Sequence, residues 1–123
     1  MKLLAALSGL MLLVFGAAGF VFWRSAAVPC EDQVVLSLPS ADGEREALVV
    51  QHRCGDADST RVQLGIAGKA RTRTDVYSAA GLRPPTVHWK GARALVVEPP
   101  PAAQLQLSED AWRDVSVQVL QPR

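Results

Sequence analysis

Two hydrophobic patterns divide the chain. From Leu3 to Trp23, 21 residues (LLAALSGLMLLVFGAAGFVFW) carry no charge. As a helix this run would be about 31 Å long, close to the roughly 30 Å hydrocarbon core of a bilayer. Phe20, Phe22 and Trp23 close it with an interfacial aromatic cluster. Beyond Arg24 the pattern changes to a period of two. Gln33–Leu38 puts Val34, Leu36 and Leu38 on one face. Ala47–Cys54 puts Leu48, Val50, His52 and Cys54 on one side and Val49, Gln51 and Arg53 on the other. Arg61–Ala67 turns Val62, Leu64 and Ile66 inward. Such alternation predicts half-buried strands.

The later chain continues in short pieces. Asp75–Ser78, Thr86–Trp89, Arg93–Glu98, Ala103–Leu107 and Val115–Leu120 read as strands, with Trp89 and Leu95 as core anchors and His88 turned outward. Asp42-Gly43 and Lys90-Gly91-Ala92 are the hairpin turns. Pro99-Pro100-Pro101 stops a strand, because proline has no N–H for a ladder. Ser108 followed by Glu109 and Asp110 resembles a helix N-cap, so Ser108–Asp114 is predicted as a single helical turn. The fold class predicted is all-β: an N-terminal transmembrane helix over 1–24, a short stalk over 25–33, and a small, mostly antiparallel domain over 34–121. A single curled sheet and a two-layer sandwich both satisfy the pattern.

Charge sets the orientation and excludes one class of partner. Lys2 and the terminal amine slightly outweigh Arg24, which directs the N-terminus to the cytoplasm and the rest of the chain outward. A single-pass inner-membrane protein with a periplasmic C-terminal domain is therefore expected. Ser25-Ala26-Ala27 keeps a cleaved signal peptide as the alternative. Every acidic residue and every basic residue except Lys2 lies in the exported part, which is close to neutral and has no dedicated basic face for nucleic acid. The basic turn Gly68–Thr74, with Lys69, Arg71 and Arg73, is a candidate partner surface, although a solvated loop has the same composition.

Cys30 and Cys54 are the only cysteines. In an oxidising compartment an even pair is expected as a disulfide. Closing a loop of about 25 residues would contribute about 3.5 kcal/mol by the chain-entropy argument. The rivals are a metal site built from His52, Cys54, Cys30 and His88, or free thiols; the chain has no CxxC or HExxH spacing. His52 with Asp56, Asp58 and Ser59 has the residue types of nucleophilic catalysis, but such residues gather around one turn by chance. No GxSxG or nucleotide loop is present. No catalytic residue, cofactor or metal is assigned, and a non-enzymatic protein is expected.

The segments LPSADGEREALVVQHRCGDADSTRVQLGI and TVHWKGARALVVE resemble an uncharacterised family of small bacterial membrane-anchored envelope proteins. That family carries an SPDG turn, an RxCGATT-like turn and a VxW hairpin. The matching positions are Asp42-Gly43, Arg53-Cys54-Gly55, Ser59-Thr60, Val62–Ile66 and Val87-His88-Trp89; the acidic Asp56-Ala57-Asp58 departs from the pattern. The same turn and hairpin are similar to one blade of a periplasmic β-propeller, although the chain is too short to close one. The resemblance implies a small, exported, anchored protein and supplies no activity. The function expected is a protein-binding or scaffold module in the envelope; an immunity or inhibitor protein and a carrier of a small apolar ligand are the alternatives.

Overall fold

The computed structural model describes residues 29–123. The expected membrane span, the candidate cleavage site and the first part of the expected stalk lie outside the described residues. Among those described, no helix is long and apolar enough to cross a membrane.

The described chain forms nine strands: β1 (Glu31–Pro39), β2 (Arg45–Arg53), β3 (Ser59–Ile66), β4 (Thr74–Ala80), β5 (Thr86–Trp89), β6 (Ala94–Glu98), β7 (Leu105–Ser108), β8 (Ala111–Trp112) and β9 (Val115–Val119). One sheet has the order β1-β2-β3-β4-β7, the other β5-β6-β9-β8. Each sheet turns an apolar face toward the other, and these two faces supply one common core. Ala47, Val49, Val62, Leu64, Tyr77 and Ala79 come from the first sheet; Val87, Leu95, Val97, Trp112, Val115 and Val117 come from the second. The domain is thus a two-layer sandwich, which settles the choice the alternation left open. Register explains the selection: Ala47 pairs with Leu64, Val49 with Val62, and Val62 with Tyr77, so one face of three adjacent strands is continuously apolar.

The first hairpin turns where expected. Gly43 has φ 74°, a left-handed conformation that suits glycine. The Ser40 hydroxyl donates to Asp42 Oδ1 (2.7 Å) and accepts from the Arg45 amide, while the Glu44 amide donates to Asp42. The second hairpin also forms as expected, with Trp89 opposite Leu95. Leu95 is buried, but Trp89 is only half-buried; its indole N–H donates to the Leu38 carbonyl (3.0 Å) and joins the two sheets.

Three expectations need correction and one needs an addition. First, Val34, Leu36 and Leu38 do not share an inward face. A bulge at Val35 breaks the period: Val34 pairs with Val50 and Leu36 with Val49, which point to opposite faces. Only Leu38 packs on the core. Second, Ser108–Asp114 is not helical. Trp112 is a core residue, and β8 and β9 bring it opposite Val115 across a two-residue turn in which Arg113 has φ 52°. A helical turn would not hold the indole in that place. Third, the addition: the pairing is mostly antiparallel, as expected, but among the described strands β6 and β9 pair in parallel. The proline run takes the chain from β6 to β7 in the other sheet, and the long return that parallel pairing requires is residues 99–114. Fourth, Glu31–Gln33 belong to β1 and not to a stalk, since they pair with Arg53, His52 and Gln51.

Two substitutions test the core. Leu64 is fully buried, so Leu64→Ala is expected to cost about 2–5 kcal/mol in urea unfolding. The Tyr77 hydroxyl is buried with no hydrogen-bond partner among the described residues, and burial pushes the phenol pKa up. Leaving such a group unpaired costs about 1–3 kcal/mol, so Tyr77→Phe is expected to be at least as stable as the parent. A clear loss of stability in that variant would show that the hydroxyl is satisfied in solution.

Candidate functional sites: a sulfur–imidazole corner and an open sheet edge

Strand pairing builds the first site. Cys30 and Cys54 lie at the open end of the β1–β2 hairpin and form a disulfide, with Cα atoms 4.3 Å apart. Asp32 pairs with His52 two residues further along the ladder. Because side chains alternate, Asp32 on β1 and His52 on β2 share one face, and Cys30 and Cys54, one residue beyond the strand ends, continue it as a two-by-two block. Asp32 Oδ1 contacts His52 Nδ1. Cys30 is exposed, while His52 and Cys54 are half-buried. Donor atoms of Cys30, His52 and Cys54 lie within 4.8 Å of one another.

His88, offered by the sequence as a fourth ligand, is not in this group; it is exposed on β5. Of the acids and serine near His52 in the sequence, Ser59 is its cross-strand partner on β3, but the hydrogen-bond partner of the ring among the described residues is Asp32. Asp58 accepts from the Cys54 amide (3.0 Å) and shapes the turn, and Ser59 is buried at the start of β3.

The second site is the outer side of β1, which among the described residues pairs with β2 alone. Val34, Val35 and Leu36 are 47%, 41% and 42% exposed, an apolar run on a nine-residue edge strand. Leu48 and Val50 extend this character across the same sheet: they alternate away from the core, between Ser37 and Val34 on one side and Gln63 and Arg61 on the other, and both are buried.

The basic turn is partly consumed by the fold. Ala70–Thr72 is a 3-10 turn whose Thr72 hydroxyl accepts from the Ile66 amide and donates to the Lys69 carbonyl. Arg73 lies 3.5 Å from Glu46 as an ion pair. Lys69 and Arg71 remain exposed. This turn lies at the opposite end of the sheet from the disulfide, about 30 Å away along β2.

A charge cluster not foreseen from the sequence joins the layers. The Arg93 guanidinium donates to Asp42 (2.7 Å), Glu44 (2.9 Å) and Asp114 (3.0 Å), and Arg45 adds a two-pronged contact to Asp114. The Ser40 hydroxyl, the Glu44 amide and then Arg93 hold the Asp42 carboxyl down to about 2; Asp42 and then Glu44 push the Arg93 pKa up. The acids are 49 and 51 residues from Arg93 in one direction, and Asp114 is 21 away in the other. No local spacing signals such a cluster.

The chain matches no family model, no curated protein and no solved structure in comparisons with each.

Two outcomes follow from this geometry. Replacing both cysteines by serine is expected to lower stability by about 3.5 kcal/mol, read as a shift in denaturant midpoint. Asp42 is depressed from its usual 3.8, so its stabilising effect is complete above pH 5 and is lost as pH falls from about 4 through about 2. Asp42→Asn should therefore flatten the stability profile over that window; a profile as steep as the parent's would contradict this assignment.

Proposed function

We propose that this is a membrane-anchored bacterial envelope protein whose disulfide-stapled sandwich binds an extended segment of another envelope protein along β1. The observation that carries the reading is the exposed Val34-Val35-Leu36 run on a strand whose outer edge is unpaired among the described residues. Such an edge presents free N–H and C=O groups to an incoming strand, and exposed apolar side chains add contact area. The space between the sheets is filled by Tyr77, Leu64, Leu95, Val97 and their neighbours, which favours binding on the surface over carriage of a ligand inside. The role is binding, not catalysis.

The anchor is the Leu3–Trp23 span, with the sandwich in the periplasm. Three features support it: the length of the apolar run, the charge bias around it, and a disulfide that an oxidising compartment maintains. Cys30 follows Arg24 by six residues. The disulfide end of the sheet then lies nearest the bilayer, and Lys69 and Arg71 lie at the far end, facing proteins more readily than lipid head groups. The resemblance to small anchored envelope proteins agrees with this arrangement.

Photo-crosslinking in intact cells tests the docking edge. A photoreactive residue at Val35 is expected to give a discrete adduct with another envelope protein, and Leu36→Lys should weaken it. Failure at Val35 while the same probe at Lys69 reacts would move the interface to the basic turn and overturn the β1 reading. Carbonate-washed membranes should retain the full-length chain. A soluble product lacking residues 1–27 would instead identify a cleaved signal.

A further inference from the structure

We propose that the corner formed by Cys30, His52 and Cys54 is a redox-gated site for a soft d10 metal ion, closed in the disulfide form and open when the two sulfurs are reduced. This is independent of docking at β1: either can fail without the other.

Two cysteines opposite each other leave both sulfurs on one face, and a histidine two residues before Cys54 adds an imidazole to that face. The three donors lie within 4.8 Å of one another, so the backbone already brings together a Cys2His set. Thiolate and imidazole donors select Cu(I) and Zn2+ over hard cations such as Mg2+ and Ca2+. Three protein donors suit trigonal Cu(I), or Zn2+ with an exogenous fourth ligand.

The Asp32 contact is a second observation pointing the same way. With Nδ1–H donating to the Asp32 carboxylate, the neutral ring carries its lone pair on Nε2. Metal-binding histidines are commonly oriented by a carboxylate in this manner. The site is also accessible, since Cys30 is exposed and Cys54 only half-buried.

Opening the site needs a dithiol reductant. One of its thiolates attacks a sulfur of the Cys30–Cys54 bond to give a mixed disulfide and one free cysteine. Its second thiolate then displaces the other cysteine. The reductant ends as a disulfide, and its two electrons and two protons reside on Cys30 and Cys54 as thiols. Metal binding releases these two protons to solvent and leaves two thiolates on the ion. Exchange with a second, oxidising disulfide re-forms the Cys30–Cys54 bond: that disulfide takes up the two electrons, with two protons from solvent, leaves as a dithiol, and the ion is ejected. The 25-residue loop closure is lost on reduction, but the core residues of both sheets lie away from the corner, so the sandwich persists.

The test uses full-length protein in detergent, reduced with a phosphine under anaerobic conditions and titrated separately with Cu(I) and Zn2+ against chromogenic competitors. One ion per reduced chain is expected for at least one of the two metals, none for the oxidised chain, and an unchanged β-sheet circular dichroism signal on reduction. His52→Ala, checked for folding in its disulfide form, should weaken binding at least about tenfold, and Asp32→Asn about 10- to 100-fold by releasing the ring. The proposal is overturned if neither metal binds the reduced chain at micromolar concentration. It is also overturned if His52→Ala binds as tightly as the parent, or if binding accompanies loss of the sheet signal.

Discussion

Among the described residues β1 is held from one side only, and the rest of the structure depends on how it is held. Its partner is β2, and the two ends of their ladder are fixed by different chemistry. At one end a covalent bond joins Cys30 to Cys54. At the other the Ser40–Asp42 turn is tied by Arg93 to the second sheet, and the Trp89 indole holds the Leu38 carbonyl. Between these ends the strand contributes little to the core, because the Val35 bulge takes Val34 and Leu36 out of phase. An edge strand with so little burial of its own would fray if its ends were free. Stapling both ends keeps it extended while its outer side stays open.

The remaining strands divide the work differently. β2, β3 and β4 carry the buried face of the first sheet, and β6 and β9 that of the second, so cohesion resides in the centre of the sandwich. The charge cluster around Arg93 is exposed to solvent and salt, and its main effect is to fix the relation of the first hairpin to the β8–β9 turn. A core in the middle sheets and bonds at the corners leave an edge, a basic turn and a sulfur corner whose side chains the core does not require. These are the positions at which surface chemistry can differ without loss of the fold.

Much of this was legible in the sequence. Period-two alternation and the turn residues between led to an expectation of six or seven short strands where nine form, because one face of each longer strand must be buried and the side-chain period is fixed. Asp42-Gly43 and Lys90-Gly91 marked their hairpins through the need for a left-handed residue, and the paired cysteines foretold the disulfide. What failed to show was non-local. The bulge at Val35 depends on how β1 meets Val49 and Val50, not on any residue within QVVLSL. Trp112 lies in a strand because the second sheet needs its indole, a demand that outweighs the capping signal at Ser108. Parallel pairing of β6 with β9 and the meeting of Arg93 with Asp42, Glu44 and Asp114 join segments far apart in the chain, and pattern reading has no term for either. The sulfur–imidazole corner was half visible: the residue types were evident, but only the register revealed that Asp32 stands beside His52.

Amide hydrogen exchange of the full-length protein, before and after reduction of the Cys30–Cys54 bond, tests most directly whether β1 is an open edge secured at its ends. In the oxidised protein, alternate β1 amides should be protected by β2 while the intervening ones exchange quickly. Reduction should then release protection near Glu31–Gln33 and leave β3, β4 and β6 unchanged. Slow exchange along both sides of β1 in the isolated protein, or a collapse of protection throughout both sheets on reduction, would contradict the account.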